Sequence, residues 1–133
     1  MKPRHKAWAA GYRSGLEQSF KDICDKEGLD VKYESDSISF VQPAKKRRYT
    51  PDFKTKDGRY IETKGLFTAE DRQKMLLVKE QNPGLSILMV FKRDNPITKG
   101  SKNHYSDWCN KNGVEWCLFS DTSKWKNYIK DTK

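Results

Sequence analysis

The chain has 133 residues, enough for one domain around a single core and too few for two independent ones. Charged residues make up 34% and apolar ones 35%, so the core is compact and the surface heavily charged. The formal net charge of +9 points to a polyanionic partner, while the longest apolar run, Ile87–Phe91, is too short to cross a bilayer.

Along the chain, the first dozen residues form a basic arm carrying Trp8 and Tyr12, and Ala7–Ala10 is too short for a signal-peptide core. Leu16, Phe20, Ile23 and Cys24 then recur at helical spacing, which predicts a helix over Ser14–Glu27 that Ser14 caps and Gly28 ends. Val31, Tyr33, Ile38 and Phe40 alternate with polar residues as one strand closed by Pro43. A basic run, Lys45–Arg48, follows it. Gly58–Lys64 is the next strand, and residues 68–84 are a helix with a capping box from Thr68 to Asp71 and a Pro-Gly stop. Residues 86–91 read as a strand buried on both faces, so strand, helix and strand make a right-handed parallel βαβ unit. Helices near Tyr105–Asn112 and Lys124–Lys130 flank a last short strand, Glu115–Phe119. The expected fold is a small α/β domain with a mixed sheet.

Cys24, Cys109 and Cys117 are scattered, with no CxxC pair and only His5 and His104 as imidazoles. That excludes the usual zinc spacings and reads as idle thiols in a reducing, cytoplasmic compartment.

Chemistry concentrates between Tyr49 and Gly65. Were Asp57-Gly58 a two-residue loop, Asp52 would lie opposite Thr63 and away from Glu62. A three-residue loop, Lys56-Asp57-Gly58 with Gly58 left-handed, pairs Thr55 with Arg59 and sets Asp52 opposite Glu62. Directly opposed β-carbons are about 4.5–5.5 Å apart, so two ionised carboxylates there repel and call for a cation between them. Lys64 shares a face with Glu62 because strand side chains alternate. Carboxylate oxygens without thiolate or imidazole select magnesium, manganese or calcium, and magnesium suits a site shared with substrate phosphates. The plain alternative is a surface Glu62–Lys64 ion pair beside an Asp that serves the turn. All three residues at this spacing, after a proline in a basic chain, favour metal-assisted phosphodiester chemistry.

Pro51-Asp52, nine residues, then Glu62-Thr63-Lys64 is the PD-(D/E)xK pattern of metal-dependent nucleases. Tyr12–Glu17 (YRSGLE), Tyr49–Phe53 (YTPDF), Glu62–Leu66 (ETKGL), the helix from Asp71 and Lys99–Ser101 (KGS) extend the likeness. From about Tyr12 to Val114 the chain resembles the phage endonuclease I family of Holliday-junction resolvases. The resemblance implies a restriction-endonuclease-like fold and adds Glu17 as a fourth catalytic residue, although Ser14-x-x-Glu17 also reads as a capping box. It implies that Asp52 bridges two ions, with Glu62 and the Thr63 carbonyl completing one and Glu17 the other. Magnesium, replaceable by manganese, is the implied cofactor, with no small-molecule cofactor.

The resemblance further implies a homodimer that exchanges its first helix and strand through residues 41–49, acting on branched DNA in an infected bacterial cell. Candidate phosphate contacts are Arg13, Lys45, Lys46, Arg47 and Arg48. Arg72, Lys74, Lys99 and Lys102 join them. Competing readings are a mismatch-nicking or restriction-like endonuclease on linear duplex, a non-catalytic nucleic-acid-binding module, and a protein that binds acidic partners.

Overall fold

The computed structural model describes residues 15–42 and 45–130; the side chains of 42, 45 and 46 lie outside that description. The expectations for the arm (1–12), Arg13, the Ser14 cap and Pro43, and for the side chains of Lys45 and Lys46, therefore fall outside the described residues.

Helix α1 spans Gly15–Lys26 and buries Glu17, Phe20 and Cys24 along one stripe. Its outer face is laced by i,i+4 pairs, Gln18 with Asp22 and Lys21 with Asp25. Gly28, at φ +69°, ends it in a Schellman turn: the Leu29 amide donates to the Cys24 carbonyl and the Gly28 amide to that of Asp25.

The single strand expected from Val31 through Phe40 is in fact two strands in two sheets. Glu34 adopts a left-handed φ of +43°, which turns the chain between β1 (Val31–Tyr33) and β2 (Ile38–Gln42). Polar alternation runs on through such a turn, so the pattern alone conceals the break. Strand β2 pairs antiparallel with β3 (Lys45–Tyr49), a strand that its four basic residues did not announce. Strands β2 and β3, which hold the described part of the expected bridge (residues 41–49), pair with each other in this chain. Phe40 and Tyr49 anchor this hairpin in the core, and the Gln81 side-chain amide accepts from the Val41 amide and donates to its carbonyl.

The central sheet holds β4 (Phe53–Thr55), β5 (Tyr60–Lys64), β6 (Ile87–Phe91) and β7 (Glu115–Leu118), in the order β1-β4-β5-β6-β7. Strands β1, β4 and β5 are antiparallel neighbours, whereas β5, β6 and β7 run parallel. Helix α2 (Ala69–Gln81) makes the β5–β6 crossover and starts with the expected capping box, Thr68 with Asp71. Helices α3 (Tyr105–Lys111) and α4 (Thr122–Lys130) flank β7 in sequence.

Each face of the sheet has its own core. Phe20, Phe53, Ile61, Val90 and Trp125 fill the α1–α4 side, where the Phe20 ring lies 4.9 Å from Phe53 and 4.4 Å from Trp125. Met75, Val78, Met89, Phe91 and Tyr105 fill the α2–α3 side, together with Phe40 and Tyr49 of the hairpin. Strand β6 contributes to both, which is why its sequence is apolar throughout. The three cysteines are buried and unpaired, and burial pushes each thiol up to about 12, so they stay protonated and inert. Among the described residues no helix is long and apolar enough to cross a membrane.

Candidate metal-binding active site

The β4–β5 hairpin closes through three residues. The Thr55 amide donates to the Arg59 carbonyl at 2.7 Å, and Gly58 sits at φ +89° as the left-handed residue of the loop. Asp57 stiffens the turn by accepting from the Thr55 hydroxyl and the Arg59 guanidinium. The resulting register, Phe53 with Ile61 and Lys54 with Tyr60, carries Asp52 opposite Glu62 as the loop length requires. On the far side, the Glu34 amide donates to the Asp52 carbonyl, so Asp52 is held between β1 and β5.

A bend at Asp52 modifies what ideal strands would give. Its carboxylate does not lie flat against that of Glu62; Oδ2 accepts from both the amide and the hydroxyl of Thr63, each at 2.8 Å. Thr63, expected through its carbonyl, is seen here as the donor that orients Asp52. Glu62 Oε1 accepts from the Asp52 amide at 3.1 Å and from the Tyr49 hydroxyl at 3.0 Å. Its Oε2 stands 3.6 Å from Lys64 Nζ, which confirms that Glu62 and Lys64 share a face. Lys64 Nζ also lies 3.3 Å from Asp71 Oδ1.

Glu17 reaches this cluster from α1. It is 5% exposed, and it accepts from the Tyr33 hydroxyl at 3.0 Å. Carboxylate oxygens of Glu17, Glu34 and Asp52 all lie within 4.8 Å of one another, a donor set able to hold a metal ion. Of the four residues singled out from the sequence, Glu17 and Asp52 are gathered in this trio, while Glu62 and Lys64 form the adjoining pair on β5. Glu17 meets Asp52 within one chain here. Its capping alternative rests on Ser14, which lies outside the described residues.

Charge is crowded at this spot. Burial, then the Glu62 charge, then the Glu17 carboxyl that shares a hydrogen bond with it push Asp52 well above the usual carboxylate range. Burial also raises Glu62, although Lys64, the Tyr49 hydroxyl and the Asp52 amide oppose the shift. Burial works against the Lys64 ammonium, but Glu62 and Asp71 outweigh it and the net shift is upward. A lysine held charged beside carboxylates that resist ionisation is an arrangement that a divalent cation would relieve. The donors are all hard oxygens, which fits magnesium or manganese.

Several participants were not legible as such. Asp71 reads as a helix cap and is one, its Oδ2 accepting from the Thr68 amide, yet its other oxygen meets Lys64. Tyr49 and Glu34 reach the site from β3 and from the end of β1, across strand pairings that no local spacing encodes.

The basic residues divide. Arg47, Arg48 and Lys74 line, with Phe40 and Asp71, a groove of about 600 Å³ between the hairpin and the start of α2. Arg72 instead turns back, its guanidinium donating to the Phe67 carbonyl at 2.7 Å. Lys99 and Lys102 are exposed on the loop after β6.

Known proteins share this chain's pattern. Residues 2–132 match the Phage endonuclease I family, a span that takes in the amino-terminal arm and the carboxy-terminal helix beyond the Tyr12–Val114 likeness. Endodeoxyribonuclease 1 of Enterobacteria phage T3 is 41% identical over 111 residues, covering 83% of this chain and 71% of that protein. Endonuclease I of Escherichia phage T7 is 37% identical over 123 residues, 92% of this chain and 80% of that protein. The chain belongs to the phage endonuclease I family.

Proposed function

We propose that this protein is a divalent-metal-dependent endodeoxyribonuclease that resolves four-way DNA junctions by paired nicks in the cytoplasm of an infected bacterium. The observation that carries the reading is the trio of Glu17, Glu34 and Asp52 carboxylates within 4.8 Å of one another, beside the Glu62–Lys64 pair. The names borne by the T3 and T7 relatives support the nuclease class. Asp52 with Glu17, and Asp52 with Glu62 and the Thr63 carbonyl, would hold one or two ions of magnesium, with manganese able to substitute. Such an ion supplies Lewis-acid polarisation of the scissile phosphodiester and a more acidic bound water.

The chain's own residues do the rest. Thr63 orients Asp52 through two hydrogen bonds, and Lys64, steadied by Asp71, presents a cation where negative charge grows on the phosphate. Arg47, Arg48 and Lys74 grip the sugar-phosphate backbone, which makes recognition depend on DNA shape and charge rather than on base edges. Junction resolution needs two sites in one complex, so the working form is a homodimer. Exchange of α1 through β2 by way of residues 41–49 would rebuild the Glu17–Asp52 meeting between two chains, and the hairpin with its Gln81 clasp would become an intersubunit contact.

One experiment addresses substrate and assembly together. Wild-type protein is expected to cut an immobile four-way junction at least tenfold faster than a linear duplex of the same sequence. Heterodimers co-expressed from Glu17→Ala and Asp52→Ala chains should regain junction nicking that neither homodimer shows. Equal cutting of both substrates would make the enzyme a restriction-like nuclease, and silent heterodimers would make each protomer self-contained.

A further inference from the structure

The Tyr49 phenol is 2% exposed, and its hydroxyl is aimed at a carboxylate inside the core. Its ring packs among the apolar residues between the hairpin and α2, a place that phenylalanine would fill equally well. The hydroxyl must therefore be explained by its partner, Glu62 Oε1.

We propose that Tyr49 is a positioning residue that fixes the rotamer of Glu62 and so aims Oε2 at the metal and Lys64. This rests on the metal-dependent reading above. Oε1 receives two donors, the Tyr49 hydroxyl at 3.0 Å and the Asp52 amide at 3.1 Å, which occupies that oxygen. The remaining oxygen faces Lys64 at 3.6 Å. A carboxylate tied by one oxygen presents the other in a single direction, the arrangement by which residues behind a metal ligand sharpen its affinity. Because Tyr49 ends β3, the tether also couples Glu62 to the hairpin that carries Arg47 and Arg48. Lys74 Nζ lies 5.4 Å over the same ring, which places the tyrosine between a groove cation and the metal site.

The test is a titration of the full-length protein with Mn²⁺ alone, free ion being read by electron paramagnetic resonance. Tyr49→Phe is expected to weaken Mn²⁺ binding by about 10- to 100-fold, as loss of a group behind a ligand does, while metal-free junction affinity stays at the wild-type value. Tyr49→Leu, which lacks the same hydroxyl, should show the same loss. If the tyrosine acts through Glu62, adding Tyr49→Phe to Glu62→Gln should weaken binding no further than Glu62→Gln does alone. Wild-type Mn²⁺ affinity in Tyr49→Phe, or an equal additional loss on the Glu62→Gln background, would overturn the assignment. Asp52→Asn separates the two levels. Mn²⁺ binding that is lost in Asp52→Asn but intact in Tyr49→Phe refutes the tyrosine's role and spares the metal site. Binding unchanged in Asp52→Asn refutes both.

Discussion

Replacing Asp52 by Asn is expected to slow single-turnover cleavage by about 10³-fold or more and, in metal-free buffer, to raise the unfolding temperature by about 3–5 °C. The rate loss follows from removing the carboxylate common to both proposed metal-holding pairs: metal-assisted charge stabilisation is worth several kcal/mol, and about 1.4 kcal/mol is tenfold. The stability gain follows from crowding. Asp52 is 7% exposed, and burial and its acidic neighbours raise its pKa well above the ordinary value. In the unfolded chain the same group loses its proton near pH 4. Between that pH and the raised folded value, the folded state holds the extra proton, so metal-free stability falls as pH rises across the window. Glu62, shifted in the same direction, adds to the slope. Asparagine carries no charge to repel and can still accept from the Thr63 amide. Differential scanning calorimetry in EDTA, repeated with Mg²⁺, checks both halves. Wild type should gain stability from the metal and the variant should not. A variant that melts below wild type without metal would contradict the picture of an acidic cluster held against its own repulsion.

Lys64→Ala is expected to slow the chemical step by about 10²- to 10³-fold while leaving divalent-ion affinity within a few-fold of wild type. The ammonium lies 3.6 Å from Glu62 and 3.3 Å from Asp71, ion-paired with both, while its side chain keeps 21% of its surface exposed. Its charge is therefore available to the reacting phosphate or its water. Removing it deprives Glu62 of a neighbour that favours ionisation, which slightly weakens the hold on a cation, but the donors to Oε1 persist. Single-turnover rates beside Mn²⁺ titrations separate the two effects. A wild-type rate in Lys64→Ala would remove the lysine from the mechanism, and a matching collapse of metal affinity would make it part of the metal site instead.

What could be read from the chain was whatever is encoded locally. The Lys56-Asp57-Gly58 loop sets the β4–β5 register by its length, and that register alone carries Asp52 to Glu62. Thr68 and Asp71 announce the start of α2 because a capping box closes within one turn. The apolar run of β6 reveals a strand covered on both sides. Features decided across the sheet stayed hidden. Lys45–Tyr49 becomes a strand because β2 and α2 offer it a partner and a core, against the low strand preference of lysine and arginine. The break at Glu34 depends on one backbone angle and is invisible to polar alternation. The same limit applies within the site. Glu62 and Lys64 were legible because they share one strand, whereas Asp71 and Tyr49 enter from α2 and β3. The bend that draws Asp52 onto Thr63 lies just outside β4, where ideal strand geometry no longer applies.

The central question is whether these carboxylates capture a hard cation together. Crystals of the protein soaked in MnCl₂, with anomalous diffraction collected at the manganese edge, would answer directly. The expected result is a manganese peak at coordination distance from the Asp52 carboxylate, completed by Glu17 or Glu62. Full occupancy at some other place, with no peak at the Asp52 carboxylate, would contradict it.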